Sequence, residues 1–442
     1  MESIINTSAF LCGYFSIDEK TAANSGKILA SLAGGSSTAA DSSNGAVLTR
    51  TGNTTNGWKK VEYSKEHKDL LMDFYYPEFV VFCTDTRSTY SFGVNRDITV
   101  PVTRENIPCK FHVSDIQMGF YPFGIVIFHI DLSFKDCPAE LVRGALAKMR
   151  NCCFYENAGL DEFLEVVIDP IKRAFLQLSG KAPADKVSCP FLVESGNKFK
   201  IFQIVEGESV PRDDEEMNKF LYSCGTLSEY DENGLYSTSR DYYEKSIAES
   251  RLSVFNNWKA LLLLDSVTFA AVEISDMSRN IWTNDYFGMI YLYELYTKIY
   301  LYRLNILFRS GRRKAADLYD EMKLFERRYT FSSISYNFLP NDVDKAIEAN
   351  LRTKQVRNDV YHVIDQETTA QAAESDAKSN MFLTFLTLMA SLSAVWDISS
   401  MIDALVNYES TFNLAATGYR LVVTLLIVVI LLVALFSRRK KK

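Results

Sequence analysis

The sequence predicts an α+β (or α/β) cytosolic N-terminal domain followed by long helices, a stalk helix and a two-span α-helical membrane domain. Three observations lead there. Between residues 58 and 236 short β-rich runs alternate with helical runs; beyond 237 long helical patterns take over; and residues 421–436, LVVTLLIVVILLVALF, form an apolar run closed by Arg438, Arg439, Lys440, Lys441 and Lys442. At roughly 100 to 200 residues per domain, 442 residues call for more than one folding unit. A 47% hydrophobic and 23% charged composition excludes both a wholly disordered chain and a transporter that is apolar along most of its length.

Residues 1–57 are an N-terminal segment whose later part, 33–57, is rich in Gly, Ser, Thr and Asn. With almost no large apolar side chain it cannot offset its own ordering entropy, so a flexible loop is expected. Trp58 opens a cytosolic α/β domain over 58–236. Strands are expected at 79–84, 124–132, 191–194 and 199–205, helices at 138–150 and 160–177, and turns at 207–214 and 230–234. A helical domain is expected over 237–340. In it, 239–256 reads as a helix, 258–274 as a packed helix rather than a span because Asp265 interrupts it, and 285–329 as one long helix broken at most near Gly311.

Pro340 marks a break, Asp342 is placed to cap the next helix, and no Pro or Gly occurs again before Gly418. A helix from about 343 to 396 would be roughly 80 Å long at 1.5 Å per residue. Residues 341–379 are then the stalk, and 380–442 the membrane domain, with spans at about 380–396 and 419–436 and a basic tail. Arg420 beside Tyr419 can snorkel to the interface and lengthen the second span.

The basic tail should stay cytoplasmic by the positive-inside rule. Eight scattered cysteines without a C-x-x-C suit a reducing compartment, and residues 1–12 lack the basic start and apolar core of a secretory signal. Both ends on one side require an even number of spans. The expectation is a multi-pass protein of the cell inner (plasma) membrane with N- and C-termini cytoplasmic and 397–418 as the outer connection. The net charge of −7, with a body more acidic than its tail, argues against direct binding to DNA or RNA duplexes; a small anion can still enter a local basic pocket.

Gln366, Ala370, Ala373, Ala377, Asn380, Thr384, Thr387 and Ser391 recur at alternating spacings of four and three. That period draws one helical seam of small or uncharged polar residues, suited to several copies winding about an axis. Asn380 would be costly against lipid, whereas around a central axis it could face water or its copies. Asn380, Thr384, Thr387 and Ser391 are therefore read as pore-lining, with Asp397 as a ring of carboxylates at the mouth. Ordinary small-residue helix packing is the plainer alternative.

No phosphate-loop, dinucleotide-binding, zinc-protease or nucleophile-elbow string occurs, and an enzyme is not expected. His67, His112, His129 and His362 are far apart, and His129 reads as a satisfied core residue. Cys152 and Cys153, being adjacent, read as buried thiols rather than metal ligands, so no metal site is assigned. The acidic run 213–216 reads as a solvated helix start. Tyr286, Tyr291, Tyr293, Tyr296, Tyr300 and Tyr302 read as interhelical packing rather than a ligand-stacking surface. Arg143, Lys148 and Arg150 on one helix, and Lys172 with Arg173 on another, are the candidate anion ligands.

The ordering of a cytosolic α/β domain, a stalk continuing into a first span, a short outer loop, a second span and the tail SRRKKK resembles the CorA family of divalent-cation channels. That resemblance covers about 237–442 as architecture. It implies a homo-oligomer, a pentamer in that family, with the first span on the axis and a divalent cation as permeant ion. The family closes its first span with Gly-Met-Asn; here Val395, Trp396, Asp397 and Ile398 stand there, so magnesium selectivity is not carried over. With its large N-terminal domain and the stretch 242–265, the chain looks most like the divergent CorA-like membrane effectors of type III CRISPR systems. The resemblance would make 58–236 the sensor domain, and it implies a channel or effector gated by a small nucleotide messenger in the cytosol, acting in antiviral defence on membrane ion balance or integrity. Its rivals are a constitutive divalent-cation transporter and a non-conducting membrane-anchored interaction protein.

Overall fold

The run Ile4–Ser16 forms strand β1, and it lies in the middle of a sheet rather than in a segment apart from the 58–236 domain. A computed structural model describes residues 4–32, 57–102, 105–154, 159–180, 189–234 and 237–406. The chain divides into two compact units: 1–314 with 320–361, and 315–319 with 362–442. Most of the loop expected at 33–57, and all of the second span expected at 419–436, lie outside the described residues.

After β1 come α1 (Glu19–Ala23), α2 (Ser25–Leu32), β2 (Trp58–Lys60), α3 (Lys65–Met72) and α4 (Pro77–Val81), the last running into a π-helical turn, Phe82–Thr86. Three long strands come next, β3 (Ser88–Val102), β4 (Ile107–Tyr121) and β5 (Ile125–Pro138). Then come α5 (Ala139–Arg150), α6 (Asp161–Phe163), α7 (Asp169–Ser179), β6 (Lys200–Glu206), α8 (Asp214–Thr226) and α9 (Arg240–Ser250). Strands β7 (Arg251–Phe255), β8 (Trp258–Leu262) and β9 (Ser266–Ala271) complete the sheet. The remaining helices are α10 (Asp276–Asn284), α11 (Phe287–Arg309), α12 (Ala315–Tyr329), α13 (Phe338–Leu351) and α14 (Thr353–Val406).

Among the described residues the sheet has nine strands in the order β2-β3-β4-β5-β1-β6-β9-β8-β7. Every pair is antiparallel except β6 with β9. β1 is apolar on both faces because both are covered. Phe10 stacks on Phe202 and lies near Tyr291 of α11, while Phe15 meets Phe175 of α7 edge-on. On the α11 face, Phe269 and Phe287 stack with centroids 4.5 Å apart, and Tyr121 stacks on Tyr296 at 4.8 Å. Tyr291 and Tyr296 of α11 pack against the sheet, Tyr296 and Tyr300 against Phe325 of α12, and Tyr293 against Phe79 and Phe82, whereas Tyr302 is exposed. Buried polar groups fix the layers: Gln203 Nε2 donates to the Cys224 carbonyl at 2.8 Å and to Thr268 Oγ1 at 2.9 Å, tying α8 to β6 and β9.

Several expectations are corrected. Residues 79–84 are helical, because Pro77 sits in the first turn and Phe79, Val80, Phe82 and Cys83 fall on one buried face. Residues 190–192 are a 3-10 turn begun by Pro190, not a strand. The all-helical segment expected from 237 contains β7, β8 and β9. Asn256-Asn257 make the two-residue turn between β7 and β8, since Phe255 pairs with Trp258. Residues 258–262 and 266–271 are buried on both sides and so show no alternation, which makes a buried strand pair look like a buried helix. The break near Gly311 is present, with Gly311 at φ 63°. Pro340 lies in the first turn of α13, where its missing N–H costs nothing, and Asp342 is inside that helix rather than its cap. The stalk is interrupted at Arg352, whose φ of 56° ends α13 before α14 starts. α14 then continues past Asp397, so 397–406 are helix and not part of the connection expected from 397, there being no Pro or Gly to end the helix.

Candidate functional site

The five basic residues expected to greet an anion do not converge. Lys148 Nζ donates to the Pro101 carbonyl at 2.5 Å, Arg143 lies beside the Cys224 thiol, and Arg173 on α7 pairs with Asp169 one turn back at an exposed position, next to Lys172. Arg150 alone joins a cationic cluster, whose other members the sequence pattern does not single out.

That cluster is built on Asp265, in the turn between β8 and β9. Arg150 Nη2, from the last turn of α5, contacts Asp265 Oδ2 at 2.8 Å, and Lys198 and Lys200 both pair with the same carboxylate. Lys200 opens β6, and Lys198 lies in the bend just before it. The parallel pairing of β6 with β9 sets Ile201 opposite Ser266, which brings Asp265 beside Lys200. Burial pushes the Asp265 carboxyl up, but the ammonium groups of Lys198 and Lys200 prevail and hold it well below the usual carboxylate range.

Lys298 of α11 adds a fourth cation. Burial lowers its ammonium to about 8, Lys200 and Arg352 push the same way, and Asp265 opposes them. Three cations thus share one carboxylate, with Lys298 close enough to feel its charge, an excess of positive charge that a phosphate-sized anion would relieve.

A contrasting acidic group lies one turn along α11. Glu294 is buried and Asp344 half-buried, with Glu348 and Arg357 nearby. Burial raises Glu294 well above the carboxylate range; burial and then Glu348 raise Asp344 to about 7 against the opposing Arg357. Arg357 belongs to the first turns of α14, and Arg352 to the joint before it. Lys298 and Glu294 are four residues apart on one helix, so α11 connects the cationic cluster to the start of α14.

α14 carries the expected seam. Asn380, Thr384, Thr387 and Ser391 are exposed on it, and Thr384, Thr387 and Ser391 donate their hydroxyls to the carbonyls of Asn380, Leu383 and Thr387 at 2.7–2.8 Å. Those protons are satisfied within the helix, which leaves the oxygens as outward acceptors. Asp397 is exposed, and being six residues past Ser391 it is turned about 100° from the seam. Met381, Phe382, Leu383, Phe385 and Leu386 are 46–63% exposed. Among the described residues, Thr353–Ile398 is the one helix long and apolar enough to cross a membrane.

Other expectations can be placed. No disulfide joins any of the eight cysteines. Asp213 caps α8 by accepting from the Glu215 and Glu216 amides, so the acidic run is a helix start. His129 is buried with Nε2 3.5 Å from Asp131 Oδ1, a core residue. Sequence spacing does not reveal that Cys189 joins Cys152 and Cys153, the three sulfur atoms lying within 4.8 Å of one another.

No family model, curated protein or solved structure matches this chain. The functional reading therefore rests on the residues themselves.

Proposed function

We propose that this protein is a homo-oligomeric, CorA-like membrane channel or effector, opened when a small anionic ligand of the nucleotide class binds the cytosolic cationic cluster. The observation that carries the proposal is α14: a 54-residue helix whose apolar stretch around 381–398 has no cover in the chain's described residues and bears a hydroxyl-lined seam. Lipid would cover the apolar sides and other copies the seam, with Asn380, Thr384, Thr387 and Ser391 along the axis and Asp397 beside its outer end.

In this reading the second span, 419–436, returns the chain to the cytosol, making the protein multi-pass in the inner (plasma) membrane. The ligand bridges Arg150, Lys198, Lys200 and Lys298. Lys298 and Glu294 share α11, so binding can bias the joint at Arg352 where α14 begins; the ligand must favour one arrangement over the other. CRISPR-associated antiviral defence is the proposed setting, with disturbed ion balance as the outcome.

The test is ion flux from liposomes holding the purified chain, with and without a panel of adenine nucleotides. Flux only with nucleotide supports the proposal. Flux without any ligand would identify a constitutive divalent-cation transporter, and none under any condition a membrane-anchored interaction protein.

A further inference from the structure

Cys152 and Cys153 form a 3-10 turn directly after α5, and Cys189 precedes the turn Pro190–Leu192 that leads into β6. Thirty-odd residues separate them in sequence, yet their sulfur atoms lie within 4.8 Å of one another, with Cys152 and Cys189 at 3.9 Å. Two thiolates on one zinc-like ion, each about 2.3 Å away in tetrahedral geometry, stand about 3.8 Å apart. A disulfide would need about 2.05 Å. The Cys152–Cys189 spacing fits thiolates sharing an ion, and the convergence of a third sulfur sets this group apart from the Cys109 and Cys137 pair at 3.8 Å.

The backbone holds the donors in place. The Asn151 amide bonds back to Ala147 and Lys148, the Leu192 amide to the Cys189 carbonyl at 3.0 Å, and the Phe199 amide to the Arg150 carbonyl at 3.1 Å. Cys152 and Cys189 are fully buried while Cys153 is half-buried, which offers an entry side. Three convergent sulfur atoms, two of them fully buried, are a donor set that suits a soft metal ion.

We propose that Cys152, Cys153 and Cys189 are a three-thiolate site for a thiophilic metal ion of the zinc or copper(I) class. On binding, each thiol gives its proton to solvent and its sulfur lone pair to the metal, with no change of oxidation state; for zinc a fourth position stays open to water. The ion would clip the end of α5 to the segment entering β6.

The test uses the full chain in detergent, reduced, stripped with chelator and titrated anaerobically with Cd(II), followed by zinc competition. One equivalent per chain should give an ultraviolet sulfur-to-metal charge-transfer band. Cys152→Ser or Cys189→Ser should weaken binding by more than about 100-fold, since even outer-sphere changes cost 10- to 100-fold. Cys109→Ser, from the other thiol pair, Cys109 and Cys137 at 3.8 Å, should leave the titration unchanged. A second measurement needs no variant: metal should protect the peptides carrying Cys152, Cys153 and Cys189 from alkylation in the native chain. Absence of the band, its persistence in both serine variants, or protection mapping to Cys109 and Cys137 instead would overturn the proposal.

Discussion

Strand β1 and the 381–398 stretch of α14 carry comparable side chains and meet opposite fates. Phe10, Leu11 and Phe15 are at most 1% exposed, whereas Phe382, Leu383 and Phe385 are at least 56% exposed. β1 has a strand on either side and helices on both faces; the α14 stretch has no such partners among the described residues. Apolar content alone therefore does not locate a core. What decides is whether a complementary surface meets the apolar side chains, which β1 has among the described residues and the α14 stretch does not.

The largest expected effect breaks that comparison most directly. Phe10→Ala should destabilise the sheet unit by about 3–5 kcal/mol in denaturant unfolding of the detergent-solubilised chain, because it removes a stacked ring from a filled core. Phe382→Ala should move the same transition by less than about 0.5 kcal/mol. Equal effects would mean that the α14 stretch is packed after all.

Asp265→Asn should cost the sheet unit about 1–3 kcal/mol, since Arg150, Lys198 and Lys200 lose their shared acceptor. The same change should tighten binding of an anionic nucleotide, measured by calorimetry at fixed salt; weaker binding would remove the cluster from the ligand site.

Glu294 and Asp344 provide a pH test of the region joining the two. A carboxyl raised in the folded state binds its proton more tightly there than in the unfolded chain. Asp344, raised to about 7, should therefore make stability fall as pH rises from about 4 through 7. Asp344→Asn should flatten that slope and stabilise the chain at pH 8 by more than about 1 kcal/mol. Lys298, lowered to about 8, works the other way: stability should rise between pH 8 and 10.5 as its buried charge is relieved.

The smallest effect sharpens the exposed side. Thr387→Leu should leave assembly intact, by size-exclusion profile, and change conductance by about twofold or more. Unchanged conductance in an open channel would take Thr387 off the wall.

Helices with clear punctuation are legible in the sequence. Residues 138–150 and 160–177, and the break at Gly311, need only an amphipathic period and a turn residue. Strands buried on both faces are not: β8 and β9 lack alternation, and β1 is easily missed because it precedes a low-complexity loop. The helix at 77–86 leaves a usable signal, Pro77 followed by apolar residues at helical spacing, which its β-branched and aromatic content masks. Of the cationic cluster only Arg150 stands out as a candidate. Lys198 and Lys200, two apart, are within reach of a local pattern, but Asp265 and Lys298 join them only through sheet order and helix packing, which no local pattern encodes.

The placement of β1 also bears on how the molecule is made. Ile4–Ser16 leaves the ribosome before all the other strands, yet Phe10 must wait for Asp131 and then for Phe202, nearly two hundred residues downstream. A greasy segment held idle that long calls for shelter during translation, and pairings so distant close slowly.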